Sequence, residues 1–406
     1  MRSYAGFETL LRRTMLAATL VLPFALGMLT TYALLLVLIV IALYLALQPH
    51  PARPSLDLAG RVFLVAFLIM AADIAVIAIS SDRWHDLVYA LDFGMLVLYG
   101  PLAALYNRGA NPRNSAVVAN LALIGTLFAA VVAVVFEVQQ RPYRVGGINS
   151  DPIRFSDTAV VLGFLSLMGV LAYRGPRRWI YLLGPPAALV VTILSGSRSA
   201  MLALPLLVVL AIVMLIERKR VALAGVAAAI AAGGVAVAFL AERFSDERAM
   251  TLFTVARNLV TGASLSDDTT LQRFAIYRAG IQAFWQSPVF GVGWHQRMEA
   301  IRPLLPPEYK ALADLPHLHD EVLNFAVGMG VVGVLVYLGL LVVPILVCLR
   351  SPRDSQFRAR LYGCAVLVGS YVTLGLADVM LGFELHTALY VVLTALLLSY
   401  CRDRPA

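Results

Sequence analysis

The sequence predicts an all-α, polytopic integral membrane protein, and three observations carry that prediction. Hydrophobic residues make up 60% of the 406 positions and charged residues only 14%, against roughly 25% charged in a soluble domain. The mean hydropathy is +0.82. The apolar residues also come in runs of about the 20 residues that a helix needs to cross a bilayer.

Taken in order, the runs predict about twelve spans, near residues 14–29, 31–47, 60–80, 85–106, 115–138, 155–173, 178–194, 199–216, 220–240, 321–349, 358–380 and 385–400. Arg12 and Arg13 before the first run mimic a signal peptide. A second apolar run follows at once, so an uncleaved first span is expected. Merging these two closely joined runs leaves eleven spans and moves one terminus across the membrane. The chain therefore divides into residues 1–240 with spans one to nine, a large polar loop at 241–320, and residues 321–406 with the last three spans and a tail.

Charge supports this layout. With the N-terminus inside, 19 of the 32 Lys and Arg but only five of the 24 acids fall on the inner side, as the positive-inside rule requires. Both termini are then cytoplasmic and the large loop is periplasmic. The net charge of +8 does not point to nucleic acid, because the bases sit in short turns between apolar runs. Three cysteines occur, Cys348 and Cys364 in apolar runs and Cys401 in the tail. They form no CxxC pair, so neither a disulfide framework nor a zinc site is expected.

Within the large loop, Met250, Phe253 and Val260 recur at helical spacing over 248–260. Asp267 or Asp268 can cap a second helix bearing an apolar stripe of Leu271, Phe274, Ile281 and Trp285, which Pro288, Gly291 and Gly293 end. A lid resting on the outer membrane interface accounts for both helices.

Several residues can carry chemistry. Ser195-Gly196-Ser197-Arg198-Ser199-Ala200 forms a turn feeding a helix N-terminus, which aims N–H groups at an anion while Arg198 offers a fork for phosphate oxygens. The competing reading is a helix cap with an interfacial arginine. Arg141, Arg144 and Arg154 crowd an external turn against the usual charge bias, with Asp151 and Asp157 as simple partners. Arg273 and Tyr277 share one side of the capped helix, with Arg278 alongside, suiting either a sugar phosphate or a solvated lid. His317 and His319 precede the tenth span, and His295 follows Gly291-Val292-Gly293-Trp294. An imidazole is a natural base near neutral pH, while a helix cap, or a metal site completed by Asp320, explains the same pattern. Asp73, Asp92 and Asp378 fall within predicted spans, where ionisable groups suggest a proton or ion path and hence a transporter.

Three segments together resemble the O-antigen ligase/polymerase superfamily. They are Ser195 to Ala200, the helix with Arg273 leading to Ser287-Pro288-Val289-Phe290-Gly291-Val292-Gly293-Trp294, and His319-Asp320-Glu321-Val322-Leu323-Asn324 followed by Gly328-Met329-Gly330-Val331-Val332-Gly333. The family often has His-Asn where this chain has His319-Asp320. The resemblance implies an inner-membrane glycosyltransferase that takes a glycan from undecaprenyl pyrophosphate. A ligase passes it to a lipid A-core sugar; a polymerase passes it to another carrier-linked unit. It implies an inverting, metal-independent reaction with no cofactor. His319 is then the general base, and Arg198 and Arg273, assisted by Arg154 or Arg144, meet the pyrophosphate.

Overall fold

The computed structural model describes residues 29–47, 56–107, 115–140, 151–217 and 267–401, with a few isolated positions elsewhere. The spans expected near 14–29 and 220–240, the loop helix at 248–260, and Arg141 and Arg144 lie outside the described residues. Among those described, all regular structure is helical.

Among the described residues, seven helices are long and apolar enough to cross a membrane: Leu58–Ser80, Trp84–Asn107, Ala116–Phe136, Pro152–Ala172, Pro176–Ser195, Arg198–Leu215 and Glu321–Leu349. Each coincides with an expected span. We label the helices α1 (Leu29–Leu47), α2 (Leu58–Ser80), α3 (Tyr99–Asn107, continuing a 3₁₀ helix over Trp84–Leu98), α4 (Ala116–Gln140), α5 (Pro152–Ser166) and α6 (Met168–Ala172). After the 3₁₀ helix Pro176–Leu183 come α7 (Gly184–Ser195), α8 (Arg198–Leu215), α9 (Asp268–Gln286), α10 (Arg297–Ile301), α11 (Glu321–Leu349), α12 (Phe357–Gly375) and α13 (Glu384–Ser399). Helix α13, at 16 residues, is shorter than a bilayer requires when untilted.

Burial orders the bundle. The most apolar stretch of α5–α6 is 83% buried, whereas those of α2 and α8 are each 33% buried. Helix α5 is thus central, packed against α4, α7, α8 and α12, while the other spans keep outward apolar faces, as lipid-facing helices do. Local signals set several starts. Asp57 Oδ1 accepts from Gly60 N–H at 2.7 Å to cap α2, and Asp151, followed by Pro152, caps α5. Between α7 and α8, Gly196 takes a left-handed conformation (φ 62°) and Ser197 caps α8. The Gly/Ser turn read from the sequence is this junction.

Two glycine-bearing segments interlock. Helix α11 is kinked at Gly330, and the stretch after α9 docks into the kink. Val292 and Gly293 N–H donate to the carbonyls of Val327 and Gly328 at 2.9 and 3.0 Å, while Val331 N–H donates to Pro288 O at 2.8 Å. A Cβ on Gly330 would lie 2.3 Å from the Val289 backbone, and Gly330 has φ 63°. Both the turn and the close approach therefore require glycine there.

The polar segment between α8 and α11 has its own small core. Ile276, Ala279 and Ala283 of α9 pack with Met298, Ile301, Leu305, Leu318 and Val327. The expected apolar stripe lies on a different side: Phe274, Ile281 and Trp285 are 47%, 53% and 71% exposed. Helix α9 thus turns Ile276, Ala279, Gly280 and Ala283 inward and Phe274, Ile281 and Trp285 outward, which suits an interfacial position. One boundary differs from expectation. Helix α12 ends at Gly375, not near 380, because buried Glu321 accepts N–H bonds from Met380 (3.0 Å) and Leu381 (2.6 Å) and holds 376–383 as a loop. Asp378 lies in that loop rather than inside a helix.

Candidate active site

Three tertiary elements meet around two histidines. His317 and His319 come from the segment before α11, Asp378 from the α12–α13 loop, and Tyr277 from α9. His317 Nε2 and His319 Nδ1 lie 3.5 and 3.8 Å from the same oxygen, Asp378 Oδ1. The longer of these is an ion-pair distance rather than a hydrogen bond.

Backbone chemistry fixes the pair. His319 has φ 57°, a left-handed conformation that costs a non-glycine residue about 1–3 kcal/mol. Its N–H donates to His317 Nδ1 at 3.2 Å, and its carbonyl accepts from Tyr277 Oη at 2.8 Å. Because His317 Nδ1 accepts, its proton resides on Nε2, facing Asp378. Burial drives His317 down to about 3, so that ring is neutral at neutral pH. Burial alone would raise Asp378, but the two imidazoles and the Val379 N–H outweigh it and hold the carboxylate at about 2. The His319 side chain remains 20% exposed. With Nδ1 turned to a carboxylate, Nε2 is the nitrogen left to accept a proton.

Cationic groups surround the cluster. Arg154, in the first turn of α5, stacks over Phe383 at 4.0 Å, and Phe383 meets His317 edge to face at 5.2 Å. Arg273 on α9 forms no ion pair among the described residues and lies within electrostatic reach of Asp157 and Tyr277. Asp157 is fully buried, and neither carboxylate oxygen has a hydrogen-bond partner among the described residues. It also lies within reach of Arg154 and Asp378.

Arg198 has a different setting. Its fork grips Asp267, the cap of α9, with Nη1–Oδ2 at 2.7 Å and Nη2–Oδ1 at 3.0 Å. The bond joins the α7–α8 junction to the helix carrying Arg273 and Tyr277. Asp320 caps α11, accepting Leu323 N–H at 2.7 Å, so the carboxylate beside the histidines is Asp378. His317, His319 and Asp378 place three potential ligand atoms within 4.8 Å of one another, a set able to hold a metal ion.

A cavity of about 550 Å³ is lined by Arg154, Pro316 and Phe383, which neighbour the cluster, and by Tyr89, Asp92, His295 and Arg297 among others. His295 stacks on Tyr89 at 4.0 Å and shares a 3.2 Å hydrogen bond with its hydroxyl. Arg297 donates to Asn324 Oδ1 (2.7 Å) and Pro316 O (3.0 Å), bracing the strand of chain that presents the histidines. Sequence reasoning missed Arg297, Glu321 and the role of Asp378. An ionisable residue in an apolar stretch was the available signal for Asp378.

Residues 186–338 match a family model described as O-antigen ligase. The matched region runs from α7 to the middle of α11 and contains Arg198, Arg273, His317 and His319, while Arg154 and Asp378 flank it. No curated protein matches the chain.

Proposed function

We propose that this multi-pass membrane protein, a member of the O-antigen ligase superfamily, transfers O-antigen polysaccharide from undecaprenyl pyrophosphate to a sugar of the lipid A-core. The observation that carries this reading is the convergence of His317, His319 and Asp378 with Arg154 beside them and Arg273 close by. Such a set offers an imidazole backed by a carboxylate, next to cations able to receive a departing pyrophosphate.

In the reaction, the acceptor hydroxyl oxygen forms a bond to the anomeric carbon as the bond to the pyrophosphate oxygen breaks, on the opposite face. The hydroxyl proton passes to His319 Nε2, and the developing imidazolium is stabilised by Asp378. Arginine charge meets the leaving pyrophosphate, with Arg273 and Arg154 foremost; Arg198 contributes through the bond that positions α9, and to phosphate if its fork opens. Base catalysis of this kind supplies about 10²- to 10⁴-fold. The adjoining cavity gives the acceptor sugar an aromatic face at Tyr89 and His295 and carboxylates for its hydroxyls. No metal or cofactor enters this scheme. The inner-side excess of Lys and Arg supports a site on the outer, periplasmic side, and the family match supports a bacterial inner-membrane location.

The deciding experiment is the lipopolysaccharide banding pattern of a strain lacking the gene. Loss of all O-antigen supports a ligase. A retained core-plus-one-unit band assigns the chain to carrier-to-carrier polymerisation, and an unchanged pattern refutes both.

A further inference from the structure

The chain has three cysteines, and the fold brings all three to one point. Cys348 is near the end of α11, Cys364 lies in the second turn of α12, and Cys401 follows α13. Their exposures are 0%, 0% and 5%. The three Sγ atoms lie within 4.8 Å of one another, and none is in a disulfide. This end of the three helices is the one remote from His319 and Asp378, since α11 begins two residues after His319 and α12 and α13 flank Asp378.

We propose that Cys348, Cys364 and Cys401 bind one thiophilic d¹⁰ cation, Zn(II) ahead of Cu(I), which clasps the ends of α11, α12 and α13 distal to the histidine cluster. Geometry comes first. With metal–sulfur bonds of about 2.3 Å, ligand sulfurs sit about 3.8–4.0 Å apart, so closing from 4.8 Å needs less than about 1 Å of movement. A disulfide would use two sulfurs and leave the third idle, whereas a trigonal or tetrahedral ion uses all three.

Ligand type and charge choose the ion. Three thiolates make a soft donor set, which excludes Mg(II) and Ca(II). Three thiolates with a divalent ion leave one negative charge; with a monovalent ion they leave two. Arg360, 1% exposed, lies within electrostatic reach of Cys348 and Cys401 and can meet a single excess charge. Its Nη1 binds Asp354 at 2.8 Å, but its Nε has no hydrogen-bond partner among the described residues. Ser351, buried beside Cys348, or a water can complete a tetrahedron.

The test uses reduced, metal-stripped full-length protein in detergent, titrated with Co(II) and then Zn(II). Expected are one Co(II) per chain, a near-ultraviolet thiolate-to-cobalt charge-transfer band, and displacement by one equivalent of Zn(II). Cys348→Ser, Cys364→Ser and Cys401→Ser should each abolish the band and weaken binding by about tenfold or more, with size-exclusion profiles checking that each variant is folded. A readout free of variants is thiol alkylation, which Zn(II) should slow in the wild-type protein. The proposal is overturned by wild-type protein that shows neither band nor protection, or by a disulfide among the three cysteines in metal-free protein purified without reductant. It is equally overturned if Co(II) stays bound in the cysteine variants and leaves in His319→Ala.

Discussion

Replacing Asp378 by Asn tests the arrangement at its centre. Asp378 Oδ1 is 3.8 Å from His319 Nδ1, and their side chains are 10% and 20% exposed. When His319 takes the acceptor proton, a full positive charge develops at that distance from the carboxylate. At an effective dielectric constant of about 20 the attraction is roughly 4 kcal/mol, against roughly 1 kcal/mol in water. Asn keeps a carbonyl dipole on one side, so the loss should fall between about 2 and 4 kcal/mol, or roughly 30- to 1000-fold in kcat. Affinity for the lipid-linked donor should change little, because Asp378 faces the histidines. Purified protein in detergent, with donor and acceptor supplied and no ion gradient, measures both quantities. A folded Asp378→Asn protein that turns over within about threefold of wild type would remove the basis for His319 acting with Asp378.

Further outcomes follow from the same geometry. His317 is held at about 3 by burial against an ordinary value of 6.5; its stabilising contribution is therefore present above pH 6.5 and lost as pH falls toward 3. Thermal melts should show wild type losing stability over that window by up to a few kcal/mol (roughly) more than His317→Phe, and parallel curves would contradict this. Breaking the bidentate Arg198–Asp267 bond by Asp267→Asn should cost about 1–3 kcal/mol of stability. Arg198→Gln breaks the same bond and leaves the Asp267 cap in place: if it loses no more transfer than Asp267→Asn, Arg198 acts only by positioning α9, and a larger loss of transfer at equal stability supports contact with phosphate. Transfer by Cys364→Ser protein, chosen so that metal at the thiol cluster does not enter, should persist in EDTA. Loss of activity restored by a divalent ion would make His317, His319 and Asp378 a metal site.

The sequence by itself determined what depends on near neighbours along the chain. Hydropathy located the seven described spans, because bilayer thickness sets helix length without reference to partners. Gly196, Ser197 and Asp267 were legible as turn and cap residues, since their bonds reach only three to five positions, whereas Asp151 was read only as a partner for nearby arginines. His317 and His319 stood out as an imidazole pair two residues apart. Only the tertiary structure decided which carboxylate serves that pair: Asp320 is adjacent in sequence but is spent on capping α11, while Asp378 arrives across a separation that no local pattern encodes. The same holds for Arg198, which meets Asp267 69 positions away, and for Gly330, whose need for glycine comes from the backbone of Val289. The stripe on α9 was read with the right residues facing one side but could not reveal that a different face is packed, because periodicity gives a face and only neighbours decide what covers it. The three cysteines carry the point furthest. Their spacing excludes every local motif, and their meeting is a consequence of three helices ending together.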